Sequence, residues 1–214
     1  MQSQRAVVFI DGSNWYHSLR RHAVTAPFEL DYAKLSKKLL GPRDWVETRY
    51  YIGALPQRWN PQAYADQRRF LARLTRTDPR IQIRLGRLEP RSEPNPLAKT
   101  LREYLDTTAH TLSQEARSFL DKLSREHERV VTLKEKAVDI MLAVDLIRLA
   151  EENRFDAAYI LSADGDFSPA VEAVRSSGRN VYAASLDVGH ALRAVANTFI
   201  HLDRAWLGDC YREG

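Results

Sequence analysis

The sequence is poor in cysteine: of 214 residues only Cys210 carries a thiol. A lone thiol closes no intramolecular disulfide, and a zinc site built on several cysteines is excluded. The setting expected from this is reducing and cytoplasmic. Long apolar runs are missing too. None approaches the roughly 18 residues of a membrane span, so no membrane is expected among the partners. Met1 to Arg5 lead straight into a strand pattern rather than into the apolar stretch of a signal peptide. No G-x-G-x-x-G follows the first strand, which argues against dinucleotide binding. The six histidines have no metal-ligand spacing, and no internal repeat is visible. Charge of one sign is scarcely in excess: 32 Lys and Arg face 28 Asp and Glu, a net of +4. That permits an anionic partner without requiring one.

What is present is a turn rich in carboxylates. Ala157 to Leu161 is an apolar run that reads as a buried strand. Ser162-Ala163-Asp164-Gly165-Asp166-Phe167 follows, and then a helix that Ser168 is placed to cap and Pro169 to open. In an open parallel sheet, ligands bind at the carboxyl ends of strands. Two acids in one tight turn repel each other unless a cation compensates, and a hard divalent ion with oxygen ligands does so. An Asx turn that only caps the helix is the alternative. A second stretch has the same design: Ala6 to Ile10, then Asp11-Gly12-Ser13-Asn14 and a helix from Trp15 to Arg21. Neighbouring strands lie about 4.8 Å apart, so Asp11 and Asp164 on adjacent strands can share an ion. A plain N-cap is the other reading of Asp11.

The remaining pattern alternates strands with helices. Strands are expected at Trp45–Ile52, Ile81–Leu85, Ala157–Leu161, Asn180–Ala184 and Phe199–Leu202. Helices are expected after Asp31, from Pro61 to about Arg76, from Lys134 to about Glu152, from Pro169 to Ser176 and from Gly189 to Ala196. Alternation of this kind predicts an α/β fold: a three-layer α/β/α sandwich around a mostly parallel central sheet. Residues 90–133 break it. Prolines from Pro90 to Pro96 mark an irregular stretch, and Lys99 to His127 reads as helical, with acids and bases in balance. The chain is thus expected to be a single domain, 1–214, with a helical insertion at about 90–133. That arm is a candidate homodimer or partner contact.

Asp139 and Asp145 sit on the helix expected from Lys134 and point about 120° apart. Asp139, in the first turns, is the better ligand, although an acid there also suits the helix dipole. Lys136 stands three residues earlier on the expected helix, where it can hold a phosphate or tune Asp139. Asp145 is expected to pair with Arg148 or Lys136. Between Arg58 and Arg91 arginine outnumbers acid, with Arg68, Arg69 and Arg73 clustered, a pattern suited to phosphate contacts. Tyr51, Trp59 and Tyr64 lie nearby for stacking. A solvated helix face reads equally well.

These blocks resemble the NYN domains, a branch of the PIN-like nucleases. The likeness rests on Asp11-Gly12-Ser13-Asn14 after an apolar strand, on Lys136 to Asp145, and on Leu161 to Pro169. It covers about 6–85 and 134–203, and Ala137 stands where a glycine is expected. The resemblance implies a metal-dependent ribonuclease that hydrolyses single-stranded RNA. Asp11, Asp139, Asp164 and Asp166 would be its catalytic and metal-binding acids, for Mg²⁺ or Mn²⁺. Asn14, Ser13 and Ser162 would support them, and Lys136, Arg68, Arg69 and Arg73 would bind substrate. Attack by water would leave 5′-phosphate and 3′-hydroxyl ends. A haloacid-dehalogenase-like enzyme would need an acid where Ser13 stands, and a Toprim-like core lacks its early Glu. The remaining alternative is a non-catalytic RNA-binding or scaffold module of the same fold.

Overall fold

The computed structural model describes residues 3–24 and 27–211. In chain order its elements are β1 (Arg5–Asp11), α1 (Gly12–Arg21), α2 (Tyr32–Leu40), β2 (Asp44–Ala54), α3 (Pro61–Thr77) and β3 (Ile81–Pro94). Then come α4 (Pro96–Thr108), α5 (Gln114–Glu126), β4 (Arg129–Lys136), α6 (Val138–Glu151) and β5 (Ala157–Leu161). The last are α7 (Ser168–Ser176), β6 (Asn180–Ser185), α8 (His190–Val195), β7 (Thr198–His201) and α9 (Arg204–Gly208). The strand order is β4-β3-β2-β1-β5-β6-β7. From β3 to β7 every pairing is parallel. Among the described residues no helix is long and apolar enough to cross a membrane.

The chain divides into two compact units, Met1–Arg87 with Lys136–Gly214, and Leu88–Glu135. The first is the three-layer sandwich. Successive side chains of a strand point to opposite faces, and β1 shows it. Ala6, Val8 and Ile10 pack with Trp15, Leu35, Phe70 and Leu207 on one face. Val7 and Phe9 pack with Leu142, Leu146, Val171 and Leu192 on the other. So α1, α2, α3 and α9 cover one side, and α6, α7 and α8 cover the other. The buried β1 and β5 read as near-continuous apolar runs, as strands covered on both faces must.

The second unit holds the later part of β3, the α4–α5 pair and nearly all of β4. Several of its charges pair with one another: Arg125–Asp121 at 2.8 Å, Lys134–Glu93 at 2.7 Å and Arg102–Glu128 at 3.4 Å. Leu97, Tyr104 and Phe119 stay exposed.

Three expectations are corrected here. The proline-rich stretch is not irregular, because β3 runs through Pro90 to Pro94. Its pairing with β2 ends at Arg87. Beyond that residue one edge of the strand has no ladder for a proline to break. The helix expected from Lys134 begins only at Val138, and Lys136 ends β4 instead. The β-branched run Val130-Val131-Thr132 favours a strand. Ala137 then takes the left-handed conformation, φ +70°, which separates strand from helix. Lys136 and Asp139 therefore do not share a helix face. Finally, Ser168 makes no cap hydrogen bond; it already lies in α7, one residue after a 3₁₀ turn at Gly165–Phe167.

Candidate active site

β1 and β5 are parallel neighbours, with Ile10 opposite Leu161, so their carboxyl ends lie side by side. Each ends in an acidic turn. Asp11 is buried, 2% exposed, and caps α1 by accepting from the Asn14 backbone N–H at 3.1 Å. Gly12 follows because α1 starts against β2: a Cβ there would lie 2.6 Å from the Tyr51 carbonyl oxygen. On the β5 side Asp164 accepts from the Asp166 backbone N–H at 2.9 Å and so caps the 3₁₀ turn.

Two polar side chains join the turns. The Ser162 hydroxyl donates to Asp11 Oδ2 at 3.1 Å and accepts from the Asp164 N–H at 3.0 Å. One buried oxygen thus links the two acids. The Asn14 side-chain oxygen accepts from the Ala163 N–H at 3.2 Å. α8 walls the β5 turn from outside, since a Cβ on Gly165 would come within 2.9 Å of the Ala191 methyl.

Asp139, in the first turn of α6, faces these acids electrostatically. Its carboxyl titrates above the usual carboxylate range, first through partial burial, then through the charges of Asp164 and Asp166. Three carboxylates from two elements therefore repel one another. Nonetheless, among the described residues no three Asp, Glu, His or Cys side chains are gathered closely enough to hold one metal ion. The donors suit a hard divalent cation in kind, but they stand apart in this structure. Asp11 is engaged as a cap, the plainer of its two readings.

Other expected residues fall elsewhere. Ser13, in the first turn of α1, makes no side-chain hydrogen bond among the described residues. Arg68, Arg69 and Arg73 line a cavity on α3 with Phe28, Phe70 and Arg76, and none of the four acids lines it.

Asp145 pairs with Arg148 at 2.9 Å as expected, but not with Lys136. It belongs to a buried network that the sequence did not disclose. Arg49 Nη1 lies 2.7 Å from Asp145, Arg49 Nη2 lies 2.9 Å from Glu47, and the Tyr51 hydroxyl donates to Asp145 at 2.9 Å. Burial works against the Asp145 charge, yet hydrogen bonds from Tyr51 and Arg49 hold its carboxyl below the ordinary value. The available signal was Glu47, Arg49 and Tyr51 at period two along one strand, which places them on one face.

A family model of the NYN domain matches residues 85–203, more than half of the chain. The match includes Asp139, Asp164 and Asp166 and leaves out Asp11. Among solved structures, a protein of unknown function from Vibrio parahaemolyticus superposes with a TM-score of 0.54 at 18% identity. The alignment covers 95% of this chain and 97% of that one. At that identity the likeness concerns the fold alone. No curated protein matches the sequence.

Proposed function

The chain belongs to the NYN domain family, and from that premise we propose that it is a metal-dependent ribonuclease acting on single-stranded RNA. The observation that carries the proposal is the repulsion at Asp139. Partial burial raises its carboxyl first, the charges of Asp164 and Asp166 in the β5 turn raise it further, and no Lys or Arg forms an ion pair with Asp139, Asp164 or Asp166 among the described residues. Unbalanced negative charge at a sheet's carboxyl edge is a place for a cation. Asp139, Asp164 and Asp166 would hold Mg²⁺ or Mn²⁺, with Asp11 behind them through Ser162. Bound there, the ion would supply Lewis acidity toward the phosphodiester and a source of nucleophilic water.

The chain's own part is positioning. Ser162 fixes Asp11 and the Asp164 backbone with one hydroxyl, and Asn14 fixes Ala163 between them. The acids thus approach the ion on a backbone already ordered. Lys136 and Ser13 are proposed to support the substrate, and the α3 arginines to bind its phosphates.

The test is cleavage of end-labelled single-stranded RNA with Mn²⁺, with Mg²⁺ and with chelator, beside Asp164→Asn. That substitution keeps the side chain's shape and removes its charge. Cleavage should need metal and fall at least a hundredfold in the variant, leaving 5′-phosphate ends. Equal cleavage by both proteins, or 2′,3′-cyclic phosphate ends, would sink the proposal. One observation favours a second reading, a non-catalytic RNA-binding module: Asp11 is engaged as a cap and the acids are not drawn together. RNA binding without metal-dependent cleavage is its signature.

A further inference from the structure

The cavity on α3 has a composition that neither the core nor the carboxylates explain. Its volume is about 760 Å³, within the range of small-molecule sites. Arg68, Arg69, Arg73 and Arg76 line it, against the single carboxylate of Asp66, which pairs with Arg69. Arg73 is tied to the Phe28 carbonyl and Arg68 to the Tyr64 hydroxyl. Arg76 has no side-chain partner among the described residues. The fold does not need these charges, because Phe70 and Leu74 do the burying for α3. Like charges one helical turn apart repel, so this stripe opposes its own helix unless an anion is bound.

The second feature is aromatic. Phe28 is 47% exposed as a residue, yet its ring is held in place. Tyr16 stacks on it at 5.5 Å and 30°, and Phe70 meets it edge-on at 5.4 Å. A fixed, exposed ring beside unbalanced guanidinium groups offers a platform for a base and cations for phosphates, the two requirements of single-strand binding. A free phosphate would leave the ring unused, and an acidic peptide has no base to stack. A duplex keeps its bases inside. The cavity also lies beside the helix that leads to the acids: Tyr16 is five residues along α1 from its cap Asp11, about 7.5 Å of helix axis.

We infer that the Phe28–arginine cavity is a docking subsite for one unstacked base and the flanking phosphates of a single-stranded nucleic acid. The inference deepens the nuclease reading, but the subsite stands or falls separately from it. The test is equilibrium binding of a labelled oligouridine to the full chain in chelator, where metal-dependent cleavage is silent, across a salt series. Phe28→Ala should weaken binding about tenfold with the salt slope unchanged, and Phe28→Trp should retain binding. An abasic strand of the same length should not respond to Phe28→Ala. Replacing Arg68, Arg69 and Arg73 together with Ala should weaken binding and reduce the salt slope by about two. Should Phe28→Ala not fold, Arg76→Ala decides, with an expected slope loss of about 0.7. The inference is overturned if folded Phe28→Ala binds within twofold of the parent, if a duplex binds as well as the single strand, or if polyglutamate displaces the RNA at equal charge. Phe28-dependent binding without metal-dependent cleavage keeps the subsite and rejects the nuclease. Metal-dependent cleavage with Phe28-independent binding does the reverse.

Discussion

At the scale of single residues, position decides what a carboxylate does. Asp187 lies just past β6, 2.6 Å from Arg21 and 3.0 Å from His22. Burial pushes its carboxyl up, but the hydrogen bonds it accepts from Arg21 and His22 and the charge of Arg21 offset this and hold it at about 2. A carboxyl depressed in the folded state contributes stability above its unfolded pKa near 3.9, and the contribution is lost as pH falls through about 2. Asp187→Asn should therefore lower stability by about 1–2 kcal/mol at pH 6. The gap from the parent should close progressively between pH 4 and pH 2. Urea unfolding at both ends of that range checks it, and a constant gap refutes the assignment. The same dependence on position limited what could be read at the site. Asp11 and Asp164 were visible as acids after apolar strands, but that Ser162 joins them depends on strand adjacency, which the sequence does not spell out. Ala137 was visible as an alanine in a glycine's place. The structure gives the physical reason: φ +70° is a conformation that glycine adopts without strain and alanine does not.

At the scale of elements, α6 shows why one boundary was misplaced. The helix is apolar almost all round. Val138, Leu142, Leu146 and Leu149 are buried, while Ile140 and Val144 are 68% and 54% exposed. A helix with apolar residues on both faces gives a weak periodic signal, so its start could not be phased against the preceding Val130-Val131-Thr132 strand. By contrast β1 and β5 were legible, because a strand buried on both faces is one short apolar run between turn residues. The two faces of α6 should respond differently to substitution. Leu146→Ala opens a cavity in the core and should cost about 2–5 kcal/mol. Ile140→Thr removes an apolar group from solvent and should change stability by less than about 0.5 kcal/mol. Denaturant midpoints for the pair distinguish the faces; comparable losses would mean that the outer face is covered in solution.

At the scale of the whole molecule, the alternation of strands and helices was enough to read the sandwich, because each crossover helix must cover the sheet it leaves. Residues 88–135 were not readable in the same way. Their helices carry charges that pair with one another, and nothing in such a pattern says where the segment belongs. The structure suggests how dispensable it is to the sandwich. Neither of the two buried core clusters contains a residue between 88 and 135. The chain also leaves and re-enters the first unit at neighbouring points: a Cβ on Gly86 would sit 2.8 Å from the Lys136 carbonyl oxygen. The far ends of β3 and β4 meet likewise, through the Asn95 N–H and the Glu128 carbonyl at 2.8 Å. The two strands are therefore antiparallel, and a two-residue Asn-Gly turn can join such a pair. Replacing residues 88–135 with that turn shortens the closed loop, which lowers the entropic cost of ordering it, and removes no side chain of either cluster. The shortened chain is expected to unfold in one cooperative step, with a midpoint within about 8 °C of the parent, the shift that ~1–2 kcal/mol produces in a chain of this size. Circular dichroism on heating measures it. A shortened chain that aggregates or melts without a transition would show that the segment is part of the sandwich's own folding unit.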